Sequence, residues 1–148
     1  MKNENEFNAI LGKHLKRYWG RYFHTKNADK YRVGVPDFYI WGPCGHASVE
    51  CKFIMREPLD DKTPWLKKHK FTPEQITFLT CVKKAGGVAK GLIGIGEKKK
   101  MCVVDLYYIK NGNVTGDVVG DYYDITPKGV EELLKDLFML ERTHGPST

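Results

Sequence analysis

Cysteine is scarce and scattered in this chain. Cys44, Cys51, Cys81 and Cys102 are widely spaced and include no CxxC pair, so neither a zinc knuckle nor a disulfide framework is supported, and they read as buried or incidental thiols. No stretch approaches the ~20 apolar residues of a transmembrane helix. The opening MKNENEFNAI lacks the apolar centre of a secretory signal, so a cytoplasmic protein without membrane contact is expected. No internal repeat and no linker interrupts the 148 residues, a length that suits one domain with a real core and is short for two. The signature of disorder is missing as well, since 41% of residues are hydrophobic and 28% charged.

What is present is uneven charge. The net charge of +6 divides into 11 Lys and Arg against 8 Asp and Glu over residues 1–63, 9 against 2 over 64–100, and 4 against 8 over 101–148. A basic middle and an acidic end predict one face that attracts a polyanion, nucleic acid being the commonest, and another that stays away from it. A solvated basic surface without a ligand is the alternative.

Apolar Phe7, Ile10, Leu11 and Leu15 recur with His14 at helical spacing, predicting an amphipathic helix over residues 4–18. RYFHTK reads as a short strand. Residues 37–41 and 47–53, rich in Val, Ile and aromatics and split by the turn chemistry of GPCGH, read as a β-hairpin. Residues 54–70 carry two prolines and clustered lysines and form a loop. In TPEQITFLTCVKKAGG, Thr72 caps a helix, Pro73 fits its first position, Ile76, Leu79 and Val82 share a face, and Gly86 or Gly87 ends it. VAKGLIGIG and KMCVVDLYYI follow as strands around the turn EKKK. TPKGVEELLKDLFMLE closes the chain as a helix with Val130, Leu133, Leu134, Leu137 and Phe138 inward. This order predicts an α/β domain with a mixed central sheet flanked by helices.

The stretch GVPDFYIWGPCGHASVECKF, residues 34–53, places acids and a lysine where strand interiors rarely carry them. Side chains alternate along a strand, so Glu50 and Lys52 share one face while Val49 and Cys51 point to the other, the core side. Asp37, just after Pro36, starts the neighbouring strand, and a hairpin brings its carboxylate beside that of Glu50. Two carboxylates held close repel unless a cation lies between them. Oxygen donors suit Mg²⁺ or Mn²⁺, which lowers the pKa of bound water and neutralises charge on a phosphodiester. Lys52 on the same face can orient the water or stabilise the charged transition state. Phosphodiester hydrolysis is the expected chemistry; the alternative is a solvated strand edge with a surface salt bridge.

GVPDFYI followed by ASVECKF resembles the PD-(D/E)xK nuclease superfamily, with Pro36-Asp37 and Glu50-Cys51-Lys52 filling the pattern. TPEQITFLTCVKKAGGVAKGLIGI is similar to the segment of virus-type replication-repair nucleases, and of phage and bacterial Holliday-junction resolvases, in which a glutamine-bearing helix precedes a glycine and a strand. The resemblance covers residues 4–95 and leaves 101–142 as an extension. It implies a restriction-endonuclease-like core, with Asp37, Glu50 and the main-chain carbonyl of Cys51 as metal ligands, Lys52 as the catalytic lysine, and Gln75 near the site. Many relatives add a glutamate from the first helix. Here Glu4 falls about 50° from the centre of the apolar stripe and Glu6 about 110°, at 100° per residue, so Glu4 is preferred and Glu6 is the fallback. Either also reads as a helix-start glutamate favoured by the dipole.

Lys26, Lys30, Arg32, Lys67, Lys68 and Lys70 flank the expected site in sequence and are the candidates for phosphate contacts. His24, His46 and His69 are expected at the surface, since a metal-activated water needs no histidine base. Trp65 stacks on a base, wedges a junction or packs against the domain. The resulting expectation is a Mg²⁺-dependent deoxyribonuclease, with Mn²⁺ as a substitute, selective for branched DNA in phage replication, repair or recombination. A symmetric homodimer suits paired incisions. A catalytically idle DNA-binding module and a phage factor that occupies a host protein are the competing readings.

Overall fold

A computed structural model describes residues 1–27, 33–43, 45–67, 70–112 and 114–144, with 139–144 described through their backbone. The elements run α1 (Glu4–Lys16), β1 (Phe23–Lys26), β2 (Phe38–Gly42), β3 (Gly45–Ile54), α2 (Pro73–Lys84), β4 (Val88–Ile95), β5 (Lys100–Asp105), α3 (Leu106–Lys110), β6 (Tyr122–Asp124) and α4 (Pro127–His144). The six strands form one mixed sheet in sequence order, flanked by helices. Only β3 and β4 pair in parallel, Glu50 opposite Gly91 and Lys52 opposite Ile93, while every other neighbouring pair is antiparallel. A parallel pair needs a long crossover. Residues 55–87, with α2 inside them, supply it.

Both sheet faces are covered. On one, Phe7, Leu11 and Leu15 of α1 and Val130, Leu133, Leu134, Leu137 and Phe138 of α4 pack against Phe38, Ile40, Val49, Cys51 and Leu92. On the other, Trp65, Leu66, Leu79 of α2 and Leu106 and Ile109 of α3 cover Ile93, Ile95, Cys102 and Val104. Gly94 lets α1 come close: a Cβ there would lie 2.8 Å from ring carbons of Phe7. β5, α3, β6 and α4 are therefore built into the same sheet and core as the elements before them.

Three sequence expectations change. KMCVVDLYYI is a strand only to Asp105; Leu106 and Ile109 are both buried while Tyr107 is exposed, an i, i+3 spacing that a helical turn satisfies and a strand does not. RYFHTK keeps only its last four residues as β1, since Tyr22 is buried against Phe138 before the ladder starts. The β6 strand was not foreseen, because its three residues are too short to show a period. The long loop before α2 carries Trp65 and Leu66 into the core, and the Trp65 N–H donates to the Val114 carbonyl at 2.9 Å. Trp65 thus packs, and the base-stacking role is excluded for it.

Candidate metal centre

The β2–β3 ladder ends with Phe38 opposite Val49, so the next step along the same diagonal sets Asp37 beside Glu50. The approach to Asp37 is pinned by Gly34, whose φ of 85° belongs to the left-handed region and whose missing Cβ would lie 2.6 Å from the Glu74 backbone. The Asn27 N–H donates to the Asp37 carbonyl at 2.8 Å, and the Cys51 N–H donates to Asp37 Oδ2 at 2.9 Å. A strand residue presents N–H and C=O to the same neighbour. The Cys51 carbonyl therefore faces the Asp37 side, where β2 has already ended.

Glu50 and Lys52 lie on the α2 face of the sheet and are only 3% and 5% exposed, while Cys51 is in the opposite core with its thiol pushed up by burial. A carboxylate oxygen from each of Glu4, Asp37 and Glu50 lies within 4.8 Å of the others. The first helix reaches this cluster from the other face of the sheet, at its N-terminal turn. Glu6 points elsewhere: its carboxylate accepts from the Lys2 N–H at 2.8 Å and lies 3.9 Å from the N-terminal ammonium. The structure brings Glu4, and not Glu6, to Asp37 and Glu50.

Burial raises the Glu50 carboxyl to about 9, the Asp37 charge adds to the shift, and Lys52 opposes it. Lys52 Nζ lies 3.8 Å from Glu50 Oε2 and 5.4 Å from the centre of the Phe71 ring. Gln75 has a double assignment. Its Oε1 accepts from the Thr72 N–H at 2.9 Å while Thr72 Oγ1 accepts from the Gln75 N–H at 3.1 Å, a reciprocal helix cap. With Oε1 taken, the amide turns Nε2 toward Glu50 Oε2, 3.0 Å away. Thr72→Ala removes the Oγ1 acceptor of the Gln75 N–H and is expected to cost about 1 kcal/mol in urea unfolding, while the backbone N–H of residue 72 still donates to Gln75 Oε1. An unchanged midpoint would show that the cap carries no energy.

The donor set fits a hard divalent cation. It consists of three carboxylates, all oxygen, with no thiolate or imidazole among them. Glu50 Oε1 is buried with no hydrogen-bond partner, a lone pair that a cation would satisfy.

The expected phosphate contacts divide. Lys26, Lys67 and Lys70 are exposed, whereas Lys30, Arg32 and Lys68 lie outside the described residues, as do Cys44 and His69. His46 is exposed. His24 is not at the surface as expected: it is buried beside Phe38, its Nδ1 accepts from Trp19 Nε1 at 2.7 Å, and burial lowers its pKa. The alternation of the strand that buries His24 was too short to read in four residues. Phe71, under Lys52, escaped sequence reasoning because it had no local signal; Thr72 was legible as a cap, and its hydrogen bonds with Gln75 complete the T-x-x-Q capping box.

Neither the models of known protein families nor the curated proteins yield a match to this chain.

Proposed function

We propose that this protein is a divalent-metal-dependent nuclease that hydrolyses DNA phosphodiester bonds, in the manner of the PD-(D/E)xK enzymes its motifs resemble. One observation carries the reading: three carboxylates converge within 4.8 Å where β2 begins beside β3, whose buried Lys52 shares the face of Glu50. Glu4, Asp37, Glu50 and the Cys51 carbonyl would hold the cation, Mg²⁺ or Mn²⁺. When bound, it supplies charge neutralisation and acidified water. The chain's own side chains do the rest. Lys52 offers an ammonium to the phosphate oxygens on which charge accumulates. Gln75, clamped by the helix cap, holds Glu50 in one orientation. Lys26, Lys67 and Lys70 would neutralise backbone phosphates, giving affinity without base readout. Hydrolysis consumes one water, breaks one P–O bond and leaves the departing oxygen protonated. Branched DNA is the proposed substrate and a homodimer the proposed form.

A panel of duplex, single strand, flap and four-way junction, incubated with Mg²⁺, Mn²⁺ or EDTA, tests this. Cutting is expected with either metal and none with EDTA, and Lys52→Ala is expected to lower the rate by about 100-fold, the scale of losing one transition-state charge contact. Binding of the panel without cutting in either metal would overturn the enzyme in favour of an idle DNA-binding module. A protein that ignores the panel altogether would point to the interaction factor.

A further inference from the structure

Tyr39 and Trp41 share one face of β2, and Asp37, the residue just before the strand, continues the alternation, so the acid cluster and two aromatic rings share a surface. Trp41 pairs across the ladder with Phe23 of β1. Their rings lie 5.9 Å apart, Tyr39 is 6.2 Å from Trp41, Phe78 of α2 is 6.2 Å from Tyr39, and Trp19 is 5.1 Å from Phe23. Five rings from four segments thus form one continuous row leading away from Asp37. Burial does not explain three of them. Trp19, Phe23 and Trp41 are 42%, 45% and 45% exposed, and contiguous exposed aromatics mark an interaction surface.

The Trp19 end of the row is cationic, with Lys16 Nζ 5.3 Å from the ring centre, whereas Lys26, opposite Phe38 in the ladder, points to the other face of the sheet. Trp19 is further held by its hydrogen bond to His24, so its ring is oriented before anything binds. Half-exposed rings beside an ammonium group suit unpaired bases on a charged backbone, since every base has a π-face and each phosphate a negative charge. Bases inside a duplex keep their faces stacked on one another and offer none. A second copy of this chain fits less well: an isologous contact lays the patch on itself, bringing lysine-flanked surfaces together.

We propose that this aromatic row is a binding track for single-stranded DNA that delivers an unpaired strand to the acid cluster. The proposal deepens the nuclease reading and rests on it, in that it names the form of substrate. It implies preference for single strands, flaps or the frayed arms of a branch over intact duplex.

Binding is measured in EDTA, where the nuclease reading forbids cutting, with a labelled oligothymidine and a duplex of equal length. Anisotropy gives affinity and intrinsic tryptophan emission reports stacking on Trp19 and Trp41, the buried Trp65 contributing a constant background. Oligothymidine is expected to quench the emission and to bind more tightly than the duplex. Trp41→Ala and Phe23→Ala are each expected to weaken it about tenfold, at ~1–3 kcal/mol per stacked base, whereas Trp41→Phe keeps most of the affinity. Both side chains are half exposed, so circular dichroism melts should match the native protein. Unchanged affinity in Trp41→Ala overturns the track. So does sedimentation showing a dimer that Trp41→Ala dissociates while oligothymidine affinity stays constant. The two readings separate cleanly: quenching and tight binding without cutting in Mg²⁺ or Mn²⁺ uphold the track and sink the nuclease, while cutting that is indifferent to Trp41 and Phe23 does the reverse.

Discussion

Glu50→Gln is expected to abolish metal-dependent cleavage, by more than about 1000-fold, and at the same time to stabilise the metal-free protein above neutral pH. The two effects have one cause. Glu50 is buried beside Asp37, and its pKa in the fold rises from 4.5 to about 9. Between those values the folded protein holds a proton that the unfolded chain has released, so stability falls as pH rises. The contribution of this group is complete below about 4.5 and lost on the way to about 9. Glutamine keeps the shape and can still accept from Gln75 Nε2, but it carries no charge to desolvate. At pH 8 in EDTA, Glu50→Gln should therefore unfold at higher urea, by about 1 kcal/mol or more, and at pH 4 the two proteins should converge. Mg²⁺ should reverse the order at pH 8, stabilising the native protein and leaving the variant unmoved. A variant less stable than the native protein at pH 8 without metal would show that Lys52 and Gln75 already compensate the carboxylate, and the burial argument would fall.

Phe7→Ala is expected to cost about 3–5 kcal/mol, the range for deleting a buried aromatic ring, against a total of about 5–15 kcal/mol for a domain. Phe7 is fully buried, and its ring fills the space that Gly94 leaves on β4. Deleting it opens a cavity between α1 and the sheet that the rigid β4 backbone has little freedom to close. The consequence reaches the site, because α1 carries Glu4 three residues earlier. Loosening that helix should weaken the gain in melting temperature on adding Mg²⁺ as well as lower the temperature itself. Thermal melts with and without metal measure both. A loss under about 1 kcal/mol, below any value expected for a buried ring, would mean that α1 does not dock on the sheet through Phe7.

The candidate site was legible wherever its signal was local. The period of two in SVECK separated Glu50 and Lys52 from Val49 and Cys51 without any knowledge of the fold, and Asp37 followed from its place on the adjoining strand. The helical stripe of α1 favoured Glu4 over Glu6 by angle alone. That angle, however, only said which side of the helix Glu4 faces. Its approach to Asp37 and Glu50 depends on how α1 lies across the sheet, which Phe7 and Gly94 set between residues far apart in the chain. Gln75 shows the same division: its position on a capped helix is local, whereas its hydrogen bond to Glu50 joins residues 25 apart.

By itself, then, the sequence determined the α/β order, the capped helices, the face shared by the acid and the lysine, and the oxygen-only character of the donor set. These depend on side-chain chemistry and on backbone periods of 2 and 3.6, which act over a few residues. The tertiary structure decided which glutamate joins the cluster, that Trp65 and His24 are buried, that the chain turns from strand to helix after Asp105, and that five rings from separate segments line up beside Asp37. Each of those is settled by packing between distant segments, where the area removed from water outweighs any local preference.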